Sequence, residues 1–244
     1  MISLIQKEIN GFLNSLIGYI AITVFLLTIS LITWIFPETD FNIPEAGYAS
    51  IDPLFFITPW VYMFLVPAIT MRLFSEEKKS GTLELLLTKP LTEMQVVAAK
   101  YLAGVALVFF SLLPTLVYYF SVHSLGAPPG NIDTGSMWGS YIGLFFLGAV
   151  FVAVGVFASA MSDNQVIAFI IGLFLCFITY VGFDAVSGLM GNSSMATVVY
   201  NLGLSAHYAS MSRGVIDTRD VIYFLSVIVF FLVVTRTILE SRKW

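Results

Sequence analysis

The chain of 244 residues is 58% hydrophobic and 11% charged, and its mean hydropathy is +0.92. Soluble domains usually carry about a quarter of charged residues, so this chain has too little charge to cover a water-facing surface of its size. The composition argues against a soluble enzyme and indicates an integral membrane protein. The net charge of −4 leaves no basic excess to neutralise phosphates, so we expect no nucleic-acid partner.

The chain holds few residues of the types that catalysis and metal binding use. Cys176 is the single cysteine and has no partner for an internal disulfide. His123 and His207 lie far apart, without the short spacing of metal ligands. We therefore expect no metal site and no catalytic residue in this chain.

Six apolar stretches are long enough to cross a membrane, for which a helix needs about 20 residues. A spanning segment must be helical, because its backbone N–H and C=O groups have to be satisfied within it. The sequence therefore predicts an all-α membrane protein, with residues 1–244 in a single transmembrane domain. The six predicted spans are 16–36, 53–71, 101–122, 139–161, 166–186 and 221–239.

Positive charges concentrate on one side of these spans. Nine Lys and Arg residues lie on the side of the N terminus, and only Arg213 and Arg219 lie on the other. Because Lys and Arg accumulate in cytoplasmic segments, we expect both termini in the cytoplasm. The acidic external segments 37–52 and 123–138 contain no Lys or Arg, which agrees with this orientation.

Two segments outside the spans favour further helices. Residues 1–15 place apolar side chains at helical spacing among polar ones, which is typical of an amphipathic helix in the cytoplasmic interface; a longer first span is the alternative. Residues 197–212 predict a short external or re-entrant helix before the last span. Asp217 and Asp220 follow at the start of the sixth span, where a carboxylate favours the positive end of the helix dipole.

The cytoplasmic loop 72–100 carries the most specific pattern in the sequence. A charged run, 76–79, precedes Ser80 and Gly81, which we expect to break the helix that leaves the second span. Residues 82–88 then predict a short helix rich in leucine. Leucines exposed beside charges need a partner, either the bilayer surface or another protein, and the pattern alone leaves both open.

Two local signals delimit the helices of this loop. Lys89-Pro90 is expected to end the short helix, since the residue before a proline disfavours helical geometry. Thr92 and Gln95 have the spacing of a capping box, which predicts that the next helix begins there and runs into the third span.

The phrase EEKKSGTLELLLTKP, from Glu76 to Pro90, closely resembles the signature loop of ABC-2-type exporter permeases. The resemblance implies that this loop forms a coupling helix, which docks in a groove of a separate ATPase. It also implies a location in the bacterial cytoplasmic (inner) membrane. The interfacial N-terminal helix, the six spans and the re-entrant segment fit the same family, so the resemblance covers the whole chain.

The same resemblance implies a set of docking residues. In it, charged side chains pair with charges of the ATPase, Gly81 permits a tight turn, Thr82 caps the coupling helix, and the helix presents a docking face of two leucines and one acid. The alternative is a solvated charge cluster. The full set comprises Glu76, Glu77, Lys78, Gly81, Thr82, Leu83, Glu84 and Leu87.

Residues 7–19 and 212–224 resemble more narrowly the gliding-motility-associated permease subunits of the GldF type. This resemblance implies an auxiliary, substrate-binding-like membrane protein as a partner. Six spans are half of the usual set in the family, which implies a homodimer or a second membrane subunit beside the ATPase and the lipid bilayer. No G-x-x-x-x-G-K-[ST] motif is present, so we expect no cofactor in this chain and ATP bound by the partner subunit.

Polar and small residues within the spans have two readings each. Asp184 is the only acid inside the six predicted spans, and it is a candidate functional site or an ordinary interface residue near the outer end of the fifth span. Glycines at 139, 143, 148 and 155 allow close helix approach in the fourth span, at a dimer interface or inside the molecule.

Three classes of function remain at this point. The first is the permease subunit of an ATP-driven exporter with an amphipathic or lipid-linked cargo. The second is a non-transporting membrane component that transmits ATPase motion to a periplasmic partner. A secondary transporter is the third, but the spans show few of the intramembrane charge pairs or broken helices that it predicts.

Overall fold

The computed structural model describes residues 1–37, 39–87, 91–191 and 193–241, with the side chains of residues 85–87 excepted. Within these ranges the chain forms thirteen α-helices and no strand, as the composition predicted. Six continuous helical segments are long and apolar enough to cross a membrane, which confirms the six predicted spans: Leu16–Ile35, Asp52–Lys79, Glu93–Leu125, Thr134–Met161, Gln165–Leu189 and Thr218–Glu240.

Several spans are built from more than one helix. A π-helical turn, Leu31–Ile35, ends the first span, and another, Ile178–Gly182, interrupts the fifth. A 3₁₀ turn at Leu113–Thr115 interrupts the third span at Pro114, which has no N–H to donate. The α-helices are α1 Ile2–Leu13, α2 Leu16–Ser30, α3 Asp52–Thr70, α4 Arg72–Lys79, α5 Thr82–Leu87, α6 Glu93–Leu112, α7 Leu116–Leu125, α8 Thr134–Met161, α9 Gln165–Phe177, α10 Phe183–Leu189, α11 Ser194–Tyr200, α12 Leu204–Met211 and α13 Thr218–Glu240.

Helix α8 forms the centre of the molecule. It packs against α3, α6, α9 and α13, and most of its residues are buried. The second and third spans are also largely buried, whereas the first, fifth and sixth expose most of their apolar residues. In a membrane protein these exposed apolar faces meet lipid or another subunit, so the fold has a tight core of three spans with three more at its margin.

Glycines let the neighbours of α8 approach closely. A Cβ atom at Gly155 would lie 2.0 Å from the hydroxyl oxygen of Thr70, and one at Gly139 would lie 2.6 Å from the Cα of Gly214. Gly148 likewise faces Val108. All these neighbours belong to the same chain, which favours internal packing over a dimer interface as the reason for these glycines.

The segment before the last span contains the predicted short helix, but residues 197–212 do not form one helix: α11 ends at Tyr200 and α12 begins at Leu204. The chain turns at Asn201–Gly203 because α12 returns to pack on α8. Tyr208 of α12 is buried, and its hydroxyl donates a hydrogen bond to the Phe55 carbonyl at 2.6 Å. Burial raises the pKa of Tyr208, which keeps the phenol protonated as this donor.

The close approach at Gly155 makes a first prediction. Replacing Gly155 with Ala is expected to push α8 away from Thr70 and to destabilise the protein by about 1–3 kcal/mol, as overpacking of a core does. Thermal unfolding in detergent measures this change.

The control is Gly188→Ala, because no atom lies within 4 Å of a Cβ at Gly188. We expect its unfolding midpoint to match that of the wild type. Equal midpoints for the two variants would show that α8 and α3 tolerate the added methyl group and that their contact is looser than described.

Candidate functional site

The predicted cytoplasmic loop keeps the order of breaks and helices that its sequence indicates. Helix α4 continues the second span and ends at Ser80, where the Ser80 amide donates to the Glu76 carbonyl at 3.0 Å. Gly81 adopts φ +70°, a left-handed conformation that side chains disfavour. Helix α5 follows at once, which confirms the predicted break and short helix.

The start of α6 confirms the predicted capping box. The Thr92 hydroxyl accepts a hydrogen bond from the Gln95 amide at 3.3 Å, and the Gln95 side chain accepts one from the Thr92 amide at 3.0 Å. Helix α6 then runs without a break into the third span. The predicted end of the short helix at Lys89-Pro90 lies outside the described residues.

The eight predicted docking residues have different environments. Glu76, Gly81, Thr82 and Glu84 are exposed. Leu83 is buried and belongs to the apolar core. Glu77 and Lys78 are half-buried, and each has a partner within the chain. Leu87 belongs to α5, but its side chain lies outside the described part of the chain. Thr82 is the first residue of α5, and its hydroxyl lies 2.8 Å from the hydroxyl of Ser80.

Helix α4 is fastened to the end of α8 by polar contacts. The second span is interrupted at Met71, and the first amides of a helix have no partner within it. The buried Ser159 hydroxyl accepts from the amides of Phe74 and Ser75 at 2.9 and 3.2 Å. It donates to the Met71 carbonyl at 2.8 Å, and the Lys78 ammonium donates to the Ala160 carbonyl.

An ion cluster joins α4 to α1 and α6. Lys100 of α6 is fully buried, and its Nζ lies 2.8 Å from Glu8 Oε1 and 3.0 Å from Glu77 Oε2. Lys7 of α1, which is 64% exposed, lies 3.0 Å from Glu77 Oε1. The two lysines and two glutamates sum to zero charge. We call these four residues the ion cluster.

Lys100 makes two further contacts with α4. Its ammonium donates to the Leu73 carbonyl and lies 5.1 Å from the centroid of the Phe74 ring. An ammonium buried without partners would be costly, and here two carboxylates, a carbonyl and an aromatic face compensate it. Burial lowers the pKa of Lys7, but the hydrogen bond to Glu77 and the nearby acids outweigh it, so this pKa is raised and the side chain stays cationic.

Helix α1 confirms the predicted separate N-terminal helix and packs along α6. Its Leu4 and Phe12 side chains are buried, and the Arg72 guanidinium lies 5.0 Å from the centroid of the Phe12 ring. A polar cleft of about 250 Å³ lies between α1, α4 and the start of α5, lined by ion-cluster side chains together with Ser80 and Thr82. This end of the molecule therefore has the exposed residues Glu76, Thr82 and Glu84, which we call the tip, beside the charge-balanced ion cluster.

Sequence reasoning missed Glu8 and Lys100 as partners of the charged run 76–79. A weak signal was present, because a lysine at the entrance of an apolar span is costly unless it is paired. The partner could not be identified, since Glu8 lies 92 residues away in the chain.

Asp184 lies in the first turn of α10, near the C-terminal end of the fifth span, and its side chain is exposed. It is not brought together with the predicted docking residues, which lie at the opposite ends of the spans. The exposed position agrees with the interface reading of this acid.

A second polar pair lies on the predicted external side. His207 Nδ1 lies 2.7 Å from Asp220 Oδ1, and Nε2 lies 2.9 Å from the Asn201 carbonyl. The imidazole stacks on the Tyr223 ring at 3.9 Å. Asp217 caps α13 by accepting from the Arg219 amide, whereas Asp220 holds α12 to α13, a role beyond the predicted dipole effect.

Comparison with protein families identifies the family of this chain. The family model for ABC-2 family transporter proteins matches residues 39–243 of this chain. No curated protein matches it.

The Ser159 contacts generate a prediction. Ser159→Ala would leave the amides of Phe74 and Ser75 without the hydroxyl acceptor in a buried position, which costs about 1–3 kcal/mol. We expect a lower unfolding midpoint in detergent and faster amide hydrogen exchange in α4. Ser226→Ala is the control, because among the described residues that exposed hydroxyl bonds to the Ile222 carbonyl of its own helix alone. Unchanged exchange in α4 would contradict the assigned role.

The His207–Asp220 pair generates another prediction. His207→Ala removes the partner of the buried Asp220, and we expect amide exchange in α12 to rise because α12 is then less firmly held to α13. His123→Ala is the matched control, since His123 is exposed. If the two variants exchange alike, Asp220 does not hold α12.

Proposed function

The chain belongs to the ABC-2 family of transporter proteins and is a multi-pass membrane subunit of an ABC transporter; we propose that it docks a separate ATPase through α4 and α5. The ATPase would bind ATP, and this chain would supply the membrane-spanning path. We further propose that the docking side faces the cytoplasm of a bacterial cell, with both termini on that side.

The observation that carries the proposal is a short exposed tip on a firmly held support. Glu76, Thr82 and Glu84 are exposed where α4 turns into α5. Behind them, α4 is tied to α8 by Ser159 and to α1 and α6 by the ion cluster. Because α4 is attached to these helices, a partner that displaces the tip would displace them as well.

The placement of individual side chains refines the docking surface. Glu77, Lys78 and Leu83 already have partners or neighbours within the chain, so we propose that they support the tip. Among the side chains that the structure describes, the contact with the ATPase then falls to the exposed acids Glu76 and Glu84 and to Thr82. These two acids outnumber the exposed Lys79 beside them, which favours a basic groove on the ATPase.

The transport step would follow from differential contacts. ATP-driven closure of two ATPase subunits would shift the docked tips and favour one arrangement of the spans over another. The exposed apolar faces of α2, α9 and α13 support a second membrane subunit or a second copy beside this chain, and an amphipathic or lipid-linked cargo between them. We propose export as the direction.

Membership of a gliding-type complex stays a prediction from residues 7–19 and 212–224. The non-transporting alternative uses the same docking tip. The two differ in whether ATP turnover moves a solute across the membrane.

The test of docking is purification in mild detergent from native membranes, with co-purifying proteins identified by mass spectrometry. Wild-type protein is expected to retain an ATPase that carries a G-x-x-x-x-G-K-[ST] motif. Glu84→Lys reverses an exposed charge at the tip, and we expect it to lower ATPase recovery about tenfold, since about 1.4 kcal/mol of binding energy suffices for that change.

Asp40→Lys makes the same change of charge in the exposed first external loop and should recover the ATPase fully. Equal loss in both variants would indicate a general effect of charge and would contradict docking at the tip. Absence of any ATPase from the wild-type preparation would overturn the proposed function.

A further inference from the structure

Lys100 is the one described residue that contacts both α1 and α4 from a third helix through a fully buried charge. Its Nζ lies 2.8 Å from Glu8 of α1 and 3.0 Å from Glu77 of α4, and it belongs to α6. Glu8 and Glu77 are 14% and 12% exposed, so water screens these attractions only weakly. Three helices that are far apart in sequence are thus joined at one ammonium group.

We propose that Lys100 is a positioning residue that fixes α1 to the docking tip, so that α1, α4 and the start of α6 form one rigid unit. The inference rests on the proposed function for its link to ATPase binding. It assigns to α1 a part in presenting the tip, in addition to its packing along α6.

The charge balance explains why Lys100 is needed. Without the ammonium, the Glu8 and Glu77 carboxylates would face each other across a mostly buried site with only the exposed Lys7 between them. Like charges in such a site repel strongly, and removal of one partner from a buried ion pair is far costlier than loss of an exposed pair. Helix α1 would separate from α4 to admit water.

Lys7 provides the matched control within the same cluster. It pairs with Glu77 at 3.0 Å, as Lys100 does, but its side chain is 64% exposed. An exposed pair contributes little, so Lys7→Met should leave α1 in place. The comparison of two lysines on one glutamate isolates the effect of burial.

The position of α1 is measured by the distance between spin labels at Asn10→Cys in α1 and Lys79→Cys in α4, in a Cys176→Ala background. Both labelled positions are exposed and lie outside the ion cluster, and Cys176 is buried. We expect a narrow distance distribution in the parent permease and in Lys7→Met. In Lys100→Met the distribution should broaden.

Glu8→Gln is a milder variant that keeps the size of the side chain and leaves the Lys100–Glu77 pair intact. Because Lys100 keeps its pair with Glu77, the distribution should broaden while the unfolding midpoint falls less than in Lys100→Met. This variant keeps the test valid if Lys100→Met fails to fold.

Recovery of the ATPase tests the link to docking, in permeases without spin labels. Lys100 is fully buried within this chain, yet we expect Lys100→Met and Glu8→Gln to lower ATPase recovery, the former about tenfold, while Lys7→Met recovers it fully. A narrow distribution in both Lys100→Met and Glu8→Gln would overturn the proposal, and so would a broad distribution with full ATPase recovery. A wild type that retains no ATPase would overturn the proposed function, and the distance distributions would still decide whether Lys100 holds α1.

Discussion

The interruption of the second span at Met71 is the constraint on which the predicted cytoplasmic end of the molecule depends. A helix that restarts has first-turn amides without partners in its own backbone, and these amides are buried here, away from water. Ser159 of α8 accepts from two of these amides and returns its own proton to the Met71 carbonyl. The break in the second span is therefore tied to the central helix by the Ser159 hydroxyl.

The charged residues that follow Met71 have two different environments. Glu77 and Lys78 point back toward the protein, where the ion cluster and the Ala160 carbonyl satisfy them. Glu76 and Lys79 of the same run remain exposed, as does Glu84 in α5. A run of charges that looks uniform in the sequence thus divides into paired and exposed residues, because half-buried charges must find partners within the chain.

The predicted external end is likewise held together by a few polar contacts. Helix α12 returns to the core and is held there by the Tyr208 hydroxyl and by the His207–Asp220 pair. Between the two ends, the glycines of α8 have no side chain, so Thr70 and Val108 approach its backbone closely. The molecule therefore has a close-packed centre with a polar fastening at each end. The more exposed outer spans leave apolar faces for lipid or a second subunit.

Local and repetitive features were determined by the sequence alone. The six spans follow from uninterrupted apolar runs, the turn at Gly81 from a residue that tolerates positive φ, and the start of α6 from Thr92 and Gln95, which interact within one helical turn. The ABC-2 resemblance of the loop 76–90 also needed no coordinates, and the family match supports it. Only the tertiary structure decided that Lys100 pairs with Glu8, that Asp220 pairs with His207, that Ser159 caps α4, and that Leu83 is buried. Each of these contacts depends on how separate helices pack against one another. Most of the partners are far apart along the chain, and a single sequence gives no indication of which polar residues will meet.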